Sequence, residues 1–96
     1  MRTKFGPLKS INKTNLDKQP QSPGVYGIYN ANSRLLRIGR AKKGRIDERL
    51  LENKEEVPGA KKYSFIVTST VQDAIKLETR MLRRRKPAYN KETTGK

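Results

Sequence analysis

Two runs of β-forming residues, separated by a short polar turn, constrain this chain more than any other feature. GVYGIYN, Gly24 to Asn30, alternates and is rich in Val, Ile and Tyr. NANS, Asn30 to Ser33, is turn chemistry, because short polar side chains hydrogen-bond their own backbone and tolerate the conformations a reversal needs. RLLRIGR, Arg34 to Arg40, resumes the β pattern. Two such runs so close together predict a β-hairpin. Successive side chains of a strand point to opposite faces. Tyr26 and Ile28 therefore share one face of the first strand, and Val25, Gly27 and Tyr29 share the other.

The remaining elements follow by period and punctuation. RIDERLLENK, Arg45 to Lys54, reads as a helix with Ile46 and Leu50 on one face and Arg49 beside them. Pro58 and Gly59 break it. KYSFIVTS, Lys62 to Ser69, is a third strand. Ser69 or Thr70 caps a second helix that carries Asp73 in its first turn and runs to about Arg84, before Pro87. The order is β-β-α-β-α, which predicts an α+β fold: a small three-stranded, mostly antiparallel sheet flanked by helices. Residues 1–20 carry Arg2, Lys4, Lys9, Lys13 and Lys18 without a sustained period. They read as a basic, partly flexible arm, with room for a short helix begun by Thr14 or Asn15. Residues 21–91 form the ordered domain, and 92–96 a disordered tail.

Composition narrows the chemistry. The chain has 96 residues, which predicts one small domain, and a hydrophobic content of 32% predicts a small core. It contains no cysteine and no histidine. Disulfides and thiolate metal sites are excluded, as is imidazole, the commonest general base. Any reaction must use carboxylates, Tyr, Lys, Arg, Ser or Thr. Lys and Arg number 23 against nine acids, a formal charge of +14. Such a surface repels itself until it meets a polyanion, and nucleic acid is the expected partner. No apolar run has the length of a membrane span or a signal peptide. The expectation is a soluble, intracellular protein, cytoplasmic or nucleoid-associated, without a membrane partner. Five of the nine acids lie between Asp47 and Glu56, so that patch is expected to face away from a polyanion.

Glu78 stands out within the second helix. Its helical neighbours at i−4, i−3, i+3 and i+4 are Ala74, Ile75, Met81 and Leu82, all apolar. A carboxylate there is partly desolvated, which is costly unless it is paired or binds a metal. Two readings stay open: it reaches solvent or meets an arginine from another element, or it is a ligand for a hard cation such as Mg²⁺. RMLRRRK follows, with Arg80, Arg83, Arg84, Arg85 and Lys86. These cations suit the end of a helix, but their density exceeds what capping needs and fits a phosphate-contacting surface. Arg40 and Arg45 are candidate contacts of the same kind.

Taken in order, PGVYGIYN, LLRIGRAKK, ERL and AIKLETRMLRRRKPAYNK resemble the GIY-YIG nuclease superfamily over residues 23–91. Gly24 to Tyr26 stands at the first family tripeptide. The literal GIY at Gly27 to Tyr29 is a decoy, because counting from it makes the hairpin too short. Arg37 to Gly39 stands at the second tripeptide, with arginine where the family has tyrosine. Arg49 fits the arginine of the following helix and Arg45 is a rival. Glu78, Pro87, Tyr89 and Asn90 reproduce the family's later order and spacing.

The resemblance implies hydrolysis of phosphodiester bonds in DNA with one divalent ion, Mg²⁺ or Mn²⁺, held by Glu78. It implies that Tyr26 helps activate or position the attacking water. Lys42 and Arg37 would supply positive charge beside it. Arg49 would stabilise the pentavalent phosphate, and Asn90 would orient a phosphate oxygen or a neighbouring group. Arg37 either binds the scissile phosphate or marks a member with altered or lost activity, which leaves a non-catalytic nucleic-acid-binding protein as the alternative. The chain leaves no room for a separate specificity domain, so a protein partner or recognition of DNA structure is expected. RNA as a substrate stays open.

Overall fold

The structure is a computed structural model and describes residues 5–85 and 87. Its elements are β1 (Lys9–Ser10), α1 (Lys13–Asp17), β2 (Gly24–Tyr29), β3 (Leu35–Ala41), α2 (Ile46–Glu56), β4 (Lys62–Val67) and α3 (Val71–Arg84). The strands form one sheet in the order β1-β4-β2-β3, and every pairing is antiparallel. The hairpin expected from Gly24 to Arg40 is β2 and β3. Its turn is held by Asn30, whose side-chain oxygen accepts from the backbone N–H groups of Asn32 and Arg34, both at 2.9 Å.

The α+β class and the order of the main elements are as expected, but the sheet has four strands rather than three. The added strand comes from the segment read as a basic arm. Lys9 and Ser10 pair with Tyr63 and Lys62, and Ile11 N–H donates to the Lys61 carbonyl at 3.0 Å. α1 follows at once, capped by Asn12, whose side chain accepts from Asn15 N–H. Ile11 and Leu16 are buried in the core, so the packed unit extends into this segment. On the other face of the sheet Phe5 packs edge-on against Tyr29, ring centroids 6.1 Å apart. The sequence hid this docking because Phe5, Ile11 and Leu16 are spaced without a strand or helix period. The 92–96 tail and residues 1–4 lie outside the described residues.

The sheet is packed on both faces, which is why β2 is buried at every position. One face holds Tyr26, Ile28, Ala41 and Tyr63 against Leu16 of α1 and Ile46 and Leu50 of α2. The other holds Val25 and Ile38 against Ala74, Leu77 and Met81 of α3. The alternation read from GVYGIYN thus divides two cores. Burying each of these Leu, Ile or Met side chains is worth about 1.5–3 kcal/mol. Thr70 caps α3, its hydroxyl accepting from Asp73 N–H at 3.1 Å. Among the described residues no helix is long and apolar enough to cross a membrane.

Candidate active site

Tyr26 and Gly39 face each other across the hairpin. A β-carbon on Gly39 would collide with the Tyr26 phenol, so the glycine is what lets the ring lie against β3. Tyr26 is only 3% exposed. Asn53 of α2 stands behind it. Asn53 Nδ2 donates to Tyr26 Oη at 3.0 Å and to the Arg49 carbonyl at 2.6 Å. The second contact decides which way the amide faces, because a carbonyl oxygen can only accept. The phenol oxygen therefore receives a hydrogen bond and keeps its own proton to give. Asn53 Oδ1 is buried without a partner among the described residues.

Sequence reasoning passed over Asn53, although a signal was present. Ile46, Leu50 and Asn53 are spaced i, i+4 and i+7, so they form one stripe, and all three are buried. A polar residue on the apolar stripe of a helix is the same kind of anomaly that drew attention to Glu78.

Several charges act on Tyr26. Burial raises its pKa above the ordinary tyrosine value. The Asn53 hydrogen bond and the nearby Arg37 and Arg49 guanidinium groups oppose this, while Glu78 adds to it. Burial prevails, so the phenol holds its proton at neutral pH. Arg37 lies opposite Ile28, on the Tyr26 face of β3, and its Nε is buried without a partner among the described residues. Arg49 pairs with Glu52 at 3.2 Å and Arg45 with Glu48 at 3.1 Å, both at the surface. Of the two, Arg49 is the one whose charge lowers the Tyr26 pKa against the effect of burial. Lys42 is exposed just after β3.

Glu78 is 7% exposed, the inward carboxylate of α3. It is met by an arginine from another element: Arg40 Nη1 lies 2.7 Å from Oε1. Arg40 pairs with Val25 across the hairpin and so projects from the α3 face of β3. Desolvated Glu78 thus has a cation beside it, while 43% of the Arg40 side chain stays exposed. Tyr26 and Glu78 thus sit on opposite sheet faces. β3 is an edge strand, so side chains from both faces can reach round its open side.

The fit to a divalent ion turns on Glu78. Among the described residues no group of three or more acids comes together that could hold an ion. Mg²⁺ does not need such a group, since it keeps several waters and takes one or two carboxylates with phosphate oxygens. Arg40 holds only Oε1 of Glu78. The donor set therefore fits a hydrated ion shared with a phosphate, with Arg40 as its competitor.

The other basic candidates separate. Lys76, Arg80, Arg83 and Arg84 line the exposed side of α3. Arg85 instead lies beside Tyr29, as a charge and hydrogen-bond donor opposing the burial that raises that phenol. Lys86, Tyr89 and Asn90 lie outside the described residues.

Comparison with known proteins decides the family. The family model of the UvrC-like GIY-YIG domain matches residues 22–91. The chain belongs to the GIY-YIG family. Among curated proteins, UvrABC system protein C of Bacteroides thetaiotaomicron is 30% identical over 79 residues, covering 74% of this chain and 13% of the relative. The protein of the same name from Hydrogenovibrio crunogenus is 32% identical over 78 residues, covering 73% and 13%. The chain thus spans about an eighth of the length of these relatives. Among solved structures, the GIY-YIG N-terminal endonuclease domain of UvrC from Thermotoga maritima, bound to magnesium as its catalytic cation, superposes with a TM-score of 0.63 at 25% identity, covering 81% of this chain and 93% of that one. A point mutant of that domain, at 24% identity and TM-score 0.64, shows the shared fold.

Proposed function

We propose that this GIY-YIG domain is a metal-dependent endonuclease that hydrolyses phosphodiester bonds in DNA. The observation that carries the reading is Arg37: a buried, unpartnered guanidinium N–H on the same strand face as Tyr26, with Arg49 close enough to act on the same phenol. A buried donor without an acceptor is costly, and a phosphate oxygen would satisfy it. The magnesium bound by the Thermotoga domain supports the choice of ion.

Arg37 and Arg49 hold the scissile phosphate, their planar donor arrays matching its oxygens and stabilising the added charge of the pentavalent state. Tyr26 keeps its proton and orients the attacking water through Oη, which Asn53 holds in place. Glu78 would hold Mg²⁺ or Mn²⁺, which when bound would supply Lewis acidity at the phosphate and offset charge on the leaving oxygen. Arg40, released from Glu78 by the ion, would be free to contact the DNA backbone. Asn90 and Lys42 add contacts to the phosphate backbone. The protein works intracellularly, and the UvrABC relatives support a protein partner that supplies specificity.

One observation favours a second reading, a non-catalytic nucleic-acid-binding protein: Arg40 already neutralises Glu78. Incubation with labelled duplex, single-stranded, flapped and branched DNA and RNA, with Mg²⁺, Mn²⁺ or EDTA, separates the two. The nuclease reading expects DNA cleavage that needs the ion and falls at least 100-fold in Glu78→Ala. Tight binding without any cutting establishes the second reading. Cutting that survives in Glu78→Ala removes Glu78 as the metal ligand.

A further inference from the structure

Glu78 and the other charged residues of α3 occupy different sides of the helix. At about 100° per residue, Lys76, Arg80 and Arg83 lie roughly 140–160° around the axis from Glu78. Burial agrees: Ala74, Leu77, Glu78 and Met81 face the sheet, whereas Lys76, Thr79, Arg80, Arg83 and Arg84 are exposed. The exposed set, with Ile75, lines an open hollow of about 370 Å³.

Lys76, Arg83 and Arg84 have no ion-pair partner among the described residues. α2 is the contrast. It carries five acids against Arg49 and Lys54, and Arg49 is paired. Attraction to the helix C-terminus accounts for Arg83 and Arg84 but fades within a turn, so it does not account for Lys76. From Lys76 to Arg83 the stripe runs about 10 Å, which spans about three phosphates of one strand.

We propose that the outer face of α3 is a second docking surface, for the backbone phosphates of a duplex DNA segment, so that one chain holds two duplex segments at once. That the first segment lies at the Tyr26–Glu78 site rests on the nuclease reading. The need for a second follows from stiffness. Duplex DNA bends over a length of about 500 Å, and a helix with its side chains is about 10 Å across. One duplex seated at Glu78 cannot wrap to the far side of α3.

The test mixes donor- and acceptor-labelled short duplexes with the full chain in EDTA, which prevents cutting. Wild type is expected to produce energy transfer, greatest near one chain per two duplexes. The variant Lys76→Glu, Arg83→Glu, Arg84→Glu is expected to lose at least tenfold of that transfer while one duplex still binds. The glutamine equivalent, which removes charge without reversing it, is expected to fall between them. Circular dichroism checks that all are folded. Absence of transfer with wild type overturns the proposal, as does equal transfer by the variant. Loss of all DNA binding in the variant also overturns it, by showing a single surface on α3. Bridging that sedimentation assigns to paired chains does the same. Bridging is expected to persist in Glu78→Ala, so its failure and a failure of cleavage are separately visible.

Discussion

Arg40 reaches from β3 to α3 and sets Nη1 2.7 Å from Glu78 Oε1. The pair is lopsided, with the Glu78 side chain 9% exposed and that of Arg40 43%. The carboxylate is the desolvated partner and cannot leave, because it sits on the inward face of α3. The guanidinium stands largely in water on a flexible stem. A carboxylate so placed needs a cation but does not specify which one. Arg40 and a divalent ion are therefore rivals for the same group.

That rivalry is measurable without activity. In Arg40→Gln, Glu78 loses its counter-charge, and stability without divalent ions is expected to fall by about 1–2 kcal/mol. This is less than the roughly 3–5 kcal/mol for breaking a fully buried pair, because Arg40 is half in solvent. Mn²⁺ should bind the variant several-fold more tightly by calorimetry, and millimolar Mg²⁺ should return part of the lost stability, as any ligand of the folded state does. Equal Mn²⁺ affinity in the two proteins would show that Arg40 does not compete.

Asn53 is expected to control the Tyr26 phenol. Asn53→Leu removes the donor to Oη and should move Tyr26 titration further upward, because burial would then act with less opposition. Losing the two hydrogen bonds, one buried and one partly buried, should cost about 1–3 kcal/mol. Asn53→Asp should raise the phenol still more, by placing a negative charge beside it. Ultraviolet difference titration reads the phenol directly. If both variants titrate like wild type, Asn53 does not act on Tyr26.

The elements were legible because each carries its own period or punctuation. Thr70, the Asn30 turn and the alternation from Val25 to Tyr29 each predict a local structure that the packing then keeps. The family order of Tyr26, Arg49 and Glu78 was legible for a similar reason, since it lives in spacing. What escaped was pairing between distant segments. Nothing in the chain announces that Arg40 turns to Glu78, 38 residues away, or that β1 completes the sheet beside β4.

Gly39 is expected to resist replacement for steric reasons. Its backbone does not require glycine, since its φ lies outside the left-handed region. The obstacle is the Tyr26 phenol, which occupies the space a β-carbon would take. Gly39→Ala should cost about 1–3 kcal/mol, the usual range for overpacking. Gly39→Ala combined with Tyr26→Ala should recover part of that, because the collision is gone. Additive losses in the denaturant midpoints of the double variant would place the strain elsewhere.

The buried tyrosines give stability a distinctive alkaline limit. Tyr26, Tyr29 and Tyr63 are all raised, in each case mainly by burial. In the unfolded chain a tyrosine titrates near a pKa of about 10. Above that value the unfolded chain releases protons that the folded chain still holds. The unfolded state then binds fewer protons, and stability falls as pH rises. Below it both states are protonated, and these groups impose no pH dependence. Tyr26→Phe isolates the share of one of the three, because it leaves every other titrating group in place. Its melting temperature should fall less steeply above pH 10 than that of wild type, though it starts lower through loss of the Asn53 hydrogen bond. Parallel curves would mean that Tyr26 titrates in the folded protein as it does in the unfolded one.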